Sequence, residues 1–202
     1  ENSPPPRVGS RGRGVAEAPP PPDTGMSAVI GGDEASVLAR LAELGLSPAN
    51  YNGGGQLVVA GALDALQALA AEPVAGTRVI PLQVAGAFHT QYMAPAVEAL
   101  RAAAADHDVS DPGVTLWTNR DGSAVVSGRA FVDLLVDQVA SPVRWDLCMA
   151  SFADAGVSGI VELSPAGTLV GLAKRALRGV PAVAVKTPAD LEAAAALVAA
   201  DA

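Results

Sequence analysis

Between Met26 and Leu82, apolar runs and helix-spaced segments alternate in the order strand, helix, strand, strand, helix, strand. Few topologies accept that order, because connections must stay short and return the chain to one sheet; βαββαβ is the ferredoxin-like arrangement. Met26 to Ile30 is the first apolar strand, and Gly31-Gly32-Asp33 turns it into a helix over 34–44, with Asp33 as N-cap and Gly45 as the stop. Pro48 to Asn52 and Gln56 to Ala60 are two strands joined across Gly53-Gly54-Gly55. Leu63, Leu66, Leu69 and Ala70 carry helical spacing over 63–71, and Thr77 to Leu82 completes the set as a strand.

The remainder alternates in the α/β manner. Helices are expected at 93–105, 129–139, 145–155, 168–177 and 189–200, and strands at 114–118, 159–163 and 182–186. Half of the 202 residues are hydrophobic but only 3% are aromatic, so the core must be built from Ala, Val and Leu. That mixture suits Ala-rich helices lying close on Val-rich strands. Residues 1–24 differ: Pro4, Pro5, Pro6 and the run Pro19 to Pro22 mark a tail or linker, with a short helical remnant over Arg11 to Ala18. The expected division is 1–24 tail, 25–84 small subdomain and 85–202 the α/β part.

A net charge of −8 argues against a nucleic-acid partner, which needs a basic surface. The longest apolar stretches, such as Ala193 to Ala200, are far short of the roughly 20 residues that span a bilayer, so no membrane association is expected. Cys148 alone permits no internal disulfide and fits a reducing cytoplasm; no signal peptide is visible. Two histidines without clustered thiols make no zinc site, and His107 between Asp106 and Asp108 reads as solvated. Gly31-Gly32-Asp33 follows a strand as a dinucleotide turn would, but the G-x-G-x-x-G spacing is missing.

His89 is the residue best placed for chemistry. It lies in Gln83-Val84-Ala85-Gly86-Ala87-Phe88-His89-Thr90, after a strand and before a helix, where α/β proteins put catalytic groups. A neutral imidazole there can act as a general base near pH 7; the alternative is a packing or surface histidine.

That segment resembles the histidine motif of malonyl-CoA:acyl-carrier-protein transacylases and of polyketide synthase acyltransferase domains. Other segments agree in order: Gly25 to Gly31, Pro48 to Asn52 with Gln56 to Gly61, Ser141-Pro142-Val143-Arg144-Trp145, and Glu162-Leu163-Ser164-Pro165-Ala166-Gly167-Thr168-Leu169. The resemblance covers about Arg11 to Asp190. It implies transfer of a malonyl group from malonyl-CoA to the phosphopantetheine thiol of acyl carrier protein, with no cofactor beyond the one the partner carries. It implies an α/β fold, in which the ferredoxin-like small subdomain precedes the C-terminal half of an α/β-hydrolase-like large subdomain.

The resemblance also assigns roles. His89 would be the base, and Phe88 would fill the space an α-methyl branch needs, giving the malonyl form. Gln138 would accept the second imidazole N–H through its backbone carbonyl, leaving its side chain free to vary; the alternative is an ordinary helix-end residue. Arg11 would pair with the malonyl carboxylate, a task that suits the bidentate guanidinium, or else is a solvated side chain. Asn52 and Gln56 would lie along the coenzyme A and pantetheine arm, or simply flank a glycine turn.

The family's nucleophile is a serine in a Gly-His-Ser-x-Gly elbow, activated by the histidine. No such elbow occurs in the 202 residues; Ser158 comes nearest, but Ile160 stands where the second glycine belongs. The chain begins without Met and is expected to lack an N-terminal half that carries the serine. The competing expectation is a non-catalytic ferredoxin-like module that binds a ligand or a protein.

Overall fold

The computed structural model describes residues 23–200, so Arg11 and the Arg11–Ala18 helical expectation lie outside the described residues. Strand β1 (Thr24–Gly31) leads through Asp33 into α1 (Glu34–Glu43), whose N-cap carboxylate accepts the Ser36 amide at 2.9 Å. Gly45, at φ 66, ends that helix in the left-handed conformation that only a residue without Cβ adopts freely. Hairpin β2 (Ser47–Gly53) and β3 (Gln56–Ala62), helix α2 (Leu63–Ala71) and β4 (Thr77–Pro81) follow.

These strands order β4-β1-β3-β2, with each neighbouring pair antiparallel. Alternation along them divides the sheet into two faces. Val29, Leu57 and Val59 point to α1 and α2, where they bury against Val37, Leu41, Leu66 and Leu69. Met26, Ala49 and Ala60 lie in a second cluster with Ala87, Phe88 and Tyr92. The helices therefore claim one face of the sheet and leave the other to the His89 segment.

The sheet does not stop at β2. Beyond a 3₁₀ turn (Gln91–Met93), α3 (Ala94–Ala105), a hairpin of β5 (Leu116–Trp117) with β6 (Ala124–Val125), and α4 (Gly128–Gln138), the two-residue β7 (Val143–Arg144) pairs parallel with Asn50 and Tyr51 of β2. Arg144 stacks its guanidinium 4.6 Å from the centroid of Tyr51 and holds Asp146 through two hydrogen bonds of 2.9 and 2.7 Å. Helix α5 (Trp145–Asp154), β8 (Ile160–Leu163), α6 (Thr168–Ala176), β9 (Ala182–Val185) and α7 (Leu191–Ala199) complete the chain, with β8 and β9 forming a parallel pair.

Several expectations shift. The strand expected at 114–118 shrinks to Leu116–Trp117 and gains a hairpin partner, while α3 starts at Ala94 because Thr90 caps the intervening 3₁₀ turn. The α3–α4 pair buries Met93, Ala96, Leu100, Val136 and Val139 in a core of its own. Parallel ladders are normally covered on both sides, yet Leu163 of β8 is 70% exposed, and among the described residues β9 is the only strand beside β8. Among the described residues no helix is long and apolar enough to cross a membrane.

Candidate active site

The segment between β4 and α3 is held by short local bonds. Leu82 N donates to the Met26 carbonyl, and the buried Thr90 hydroxyl donates to Ala87 O at 2.7 Å. His89 between them takes φ 61, a left-handed conformation that costs a non-glycine residue on the order of 1 kcal/mol or more. Two contacts from the end of α4 keep it there. The His89 amide donates to Val139 O at 3.2 Å, and the imidazole Nδ1 lies 2.8 Å from the backbone carbonyl of Gln138. A carbonyl can only accept, so Nδ1 carries the proton and the neutral ring keeps its lone pair on Nε2.

Gln138 acts with both ends. Its side chain, only 5% exposed, donates from Nε2 to Ser141 O at 2.9 Å and Pro142 O at 3.0 Å. The amide therefore ties down the turn that leads from α4 into β7, contrary to the expectation of a freely variable side chain. An orienting carbonyl on a tightly held helix end gives the imidazole a fixed direction.

His89 and Phe88 border a cleft of about 500 Å³. Met26, Val58 and the side chains of Asn50 and Asn52 line its sheet side. Asn119 comes from the β5–β6 turn, Val143 from β7 and Trp145 from the start of α5, while Thr168, Leu169 and Leu172 come from α6. Half-buried His89 thus sits in a largely apolar cleft with a few amide groups, the composition expected of a small-molecule site.

Asn52 lines the cleft, whereas Gln56 lies at the far end of the hairpin turn, where its Oε1 accepts from Arg175 Nη2 at 2.7 Å. Asn50, Asn119, Trp145, Thr168 and Leu169 are additional lining residues that sequence reasoning did not single out. For Asn50 the signal was its position two residues before Asn52 in the expected strand; both line the cleft, although the pairing is irregular between Tyr51 and Gly53. Asn119 is held through both ends: its backbone O accepts from Arg144 N at 2.7 Å, and its Oδ1 lies 3.6 Å from the Cys148 thiol. Burial pushes that thiol up to about 11, so Cys148 stays a neutral packing group rather than a nucleophile. Trp145 Nε1 is buried without a hydrogen-bond partner among the described residues, a desolvation cost of roughly 1–3 kcal/mol at the cleft wall.

Ser158 lies in the loop before β8, outside the residues that line the cleft. Among the described residues, no group of three or more His, Cys, Asp or Glu side chains is arranged to hold a metal ion.

Known proteins share this arrangement of chain. A family model described as "Acyl transferase domain" matches residues 8–197. The malonyl CoA-acyl carrier protein transacylase of Mycobacterium tuberculosis (strain ATCC 25618 / H37Rv) is 56% identical over 183 residues, covering 91% of this chain and 61% of that protein. The crystal structure of MCAT from Mycobacterium tuberculosis superposes with a TM-score of 0.83 at 55% identity, over 91% of this chain and 60% of that one. A type II PKS acyl-carrier protein in complex with its malonyl-transacylase matches with a TM-score of 0.81 at 31% identity, over 91% of this chain and 62% of that one. The chain thus spans about three-fifths of the relatives it matches.

Proposed function

Because the chain belongs to the acyl transferase domain family, we propose that it is the histidine-bearing part of a malonyl-CoA:acyl-carrier-protein transacylase. The observation that carries this reading is the His89 imidazole, oriented by the Gln138 carbonyl, in a cleft that Phe88 also lines. The relatives named as malonyl CoA-acyl carrier protein transacylases support the substrate pair, and the complex with a PKS acyl-carrier protein supports the class of partner. Fatty acid or polyketide synthesis in the cytoplasm is the setting this implies.

In this reading residues 25–84 are the ferredoxin-like small subdomain, and residues 85–202 are the C-terminal half of an α/β-hydrolase-like large subdomain. The order β4-β1-β3-β2 supports the first assignment, and the parallel β8–β9 pair supports the second. Asn52 and Gln56 contact the coenzyme A and pantetheine arm, and Arg11 receives the malonyl carboxylate on the strength of its motif alone.

The chemistry needs a serine that the 202 residues do not present in an elbow. With that serine supplied, His89 Nε2 takes the hydroxyl proton as the oxygen attacks the malonyl thioester carbon. The imidazolium then returns the proton to the departing coenzyme A sulfur. The phosphopantetheine thiol reverses the sequence: it gives its proton to His89, takes the malonyl group, and the serine oxygen recovers the proton.

Incubation with radiolabelled malonyl-CoA tests the assignment. The isolated chain should retain no covalent label, and adding a serine-bearing N-terminal segment of a family member should restore transfer to holo acyl carrier protein. Label retained by the chain alone would mean that it is a complete enzyme. Failure of transfer in both preparations would favour a ligand- or protein-binding module.

Phe88 provides a second check. In the reconstituted enzyme, Phe88→Ser should lower the preference for malonyl-CoA over methylmalonyl-CoA by about 10-fold, the usual scale for admitting one methyl group. Unchanged discrimination in a competition assay would remove Phe88 from selectivity.

A further inference from the structure

The cleft wall opposite His89 rests on one buried carboxylate. Glu162, 8% exposed at the end of β8, accepts three backbone N–H groups from the start of α6: Gly167 to Oε2 at 2.8 Å, Leu169 to Oε1 at 3.0 Å, and Val170 to Oε2 at 2.9 Å. Burial alone would push this carboxyl up, but the three donors outweigh it and, with the Lys186 ammonium nearby, hold it below the usual carboxylate range.

Gly167 takes φ 125 and makes no side-chain cap to α6. The Lys186 side chain lies 3.2 Å from where a Cβ on Gly167 would sit, so the lysine stem closes over the outside of the loop. Thr168 and Leu169, inside the Glu162 grip, are the residues that face the cleft. A helix start would normally satisfy its free amides with a neighbouring Ser, Thr, Asp or Asn. Here an acid from the preceding strand does so, coupling the position of the wall to the sheet.

We propose that Glu162 is a positioning residue for acyl transfer, fixing Thr168 and Leu169 as the wall against which the thioester arm lies while His89 works from the other side. The identity of the ligand rests on the acyl-transfer reading; the role of Glu162 in the loop does not. Glu162→Gln keeps the shape but replaces one acceptor oxygen with a donor amide, which faces an N–H that cannot pair with it.

Two measurements test this: amide exchange on the 202-residue chain, and ligand affinity with the serine-bearing segment supplied. Amide hydrogen exchange at Gly167, Leu169 and Val170 should speed up by about 100-fold in Glu162→Gln, with β1 to β4 unchanged. Malonyl-CoA affinity, read from the fluorescence of cleft-lining Trp145, should weaken by about 10-fold. Unchanged exchange would overturn the proposal, and so would a loosened loop with native affinity. Leu169→Ala, with Glu162 intact, should weaken binding without speeding exchange. It decides the matter if Glu162→Gln does not fold, because native affinity in Leu169→Ala would show that the wall does not touch the ligand. If the native chain, with the serine-bearing segment supplied, fails to bind malonyl-CoA while its loop is protected, the acyl-transfer reading fails, and exchange alone decides whether Glu162 holds the loop.

Discussion

Replacing His89 by Asn should lower malonyl transfer by about 10³-fold in the reconstituted enzyme, within the range a positioned general base contributes. Asn is the better probe than Ala. Position 89 sits at φ 61, and Asn tolerates left-handed backbone where Ala is strained, so the loss can be read as chemistry. The amide can still reach toward the Gln138 carbonyl, but it offers no basic nitrogen where Nε2 stood. The comparison is kcat/KM for transfer to holo acyl carrier protein, with far-UV circular dichroism as the control. A rate within about twofold of native would remove His89 from the mechanism, since a base contributes at least 10²-fold.

The second large effect concerns the turn that carries Asn119. Gly122 sits at φ 74 with its α-carbon against helix α5, where a Cβ would approach Leu147 C and O at 2.6 Å and Cys148 N at 2.9 Å. Those neighbours are backbone and cannot swing aside. The same turn is pinned by Gly122 N to Thr118 O at 2.9 Å and by the Ser151 hydroxyl to Gly122 O at 2.7 Å. Gly122→Val combines left-handed strain for a β-branched residue with overpacking, so the chain should lose about 3 kcal/mol. For a chain of this size that is a fall of about 6–12 °C in Tm. A thermal melt checks it, and a shift under about 2 °C would mean that the turn relocates at almost no cost.

How legible each part was follows from the range of the interactions. Asp33 before α1, the Gly53-Gly54-Gly55 turn and the spacing through Leu63, Leu66 and Leu69 are local signals, and the elements they announce lie within a residue or two of expectation. β5, β6 and β7 have two residues each, too few to show a period; β7 forms against β2, and β5 and β6 form with each other across their connecting turn. Phe88 and His89 stood out through a local motif, and the Gln138 carbonyl was named as the acceptor that the imidazole Nδ1 meets. Glu162 was different. It stands in the sequence only as the first residue of the Glu162 to Leu169 motif, and nothing nearby tells that three amides from the start of the next helix will close around it. Asn119 in Thr118-Asn119-Arg120-Asp121-Gly122 likewise reads as a solvent turn until α5 packs against it.

The parallel pairing of Asn50 and Tyr51 with Val143 and Arg144 bears on how one ligand could give way to the next. Two-step transfer requires a nucleotide thioester to leave before a protein-borne thiol arrives, and many enzymes manage such an exchange by swinging two lobes apart. On the proposed acyl-transfer reading, the floor of the cleft joins residues 25–84 to residues 85–202 by main-chain bonds and by a guanidinium lying on a phenol ring. A swing at that seam would tear both. On that reading, traffic would pass through a standing doorway whose frame stays still, with the side chains along its edge adjusting to each visitor.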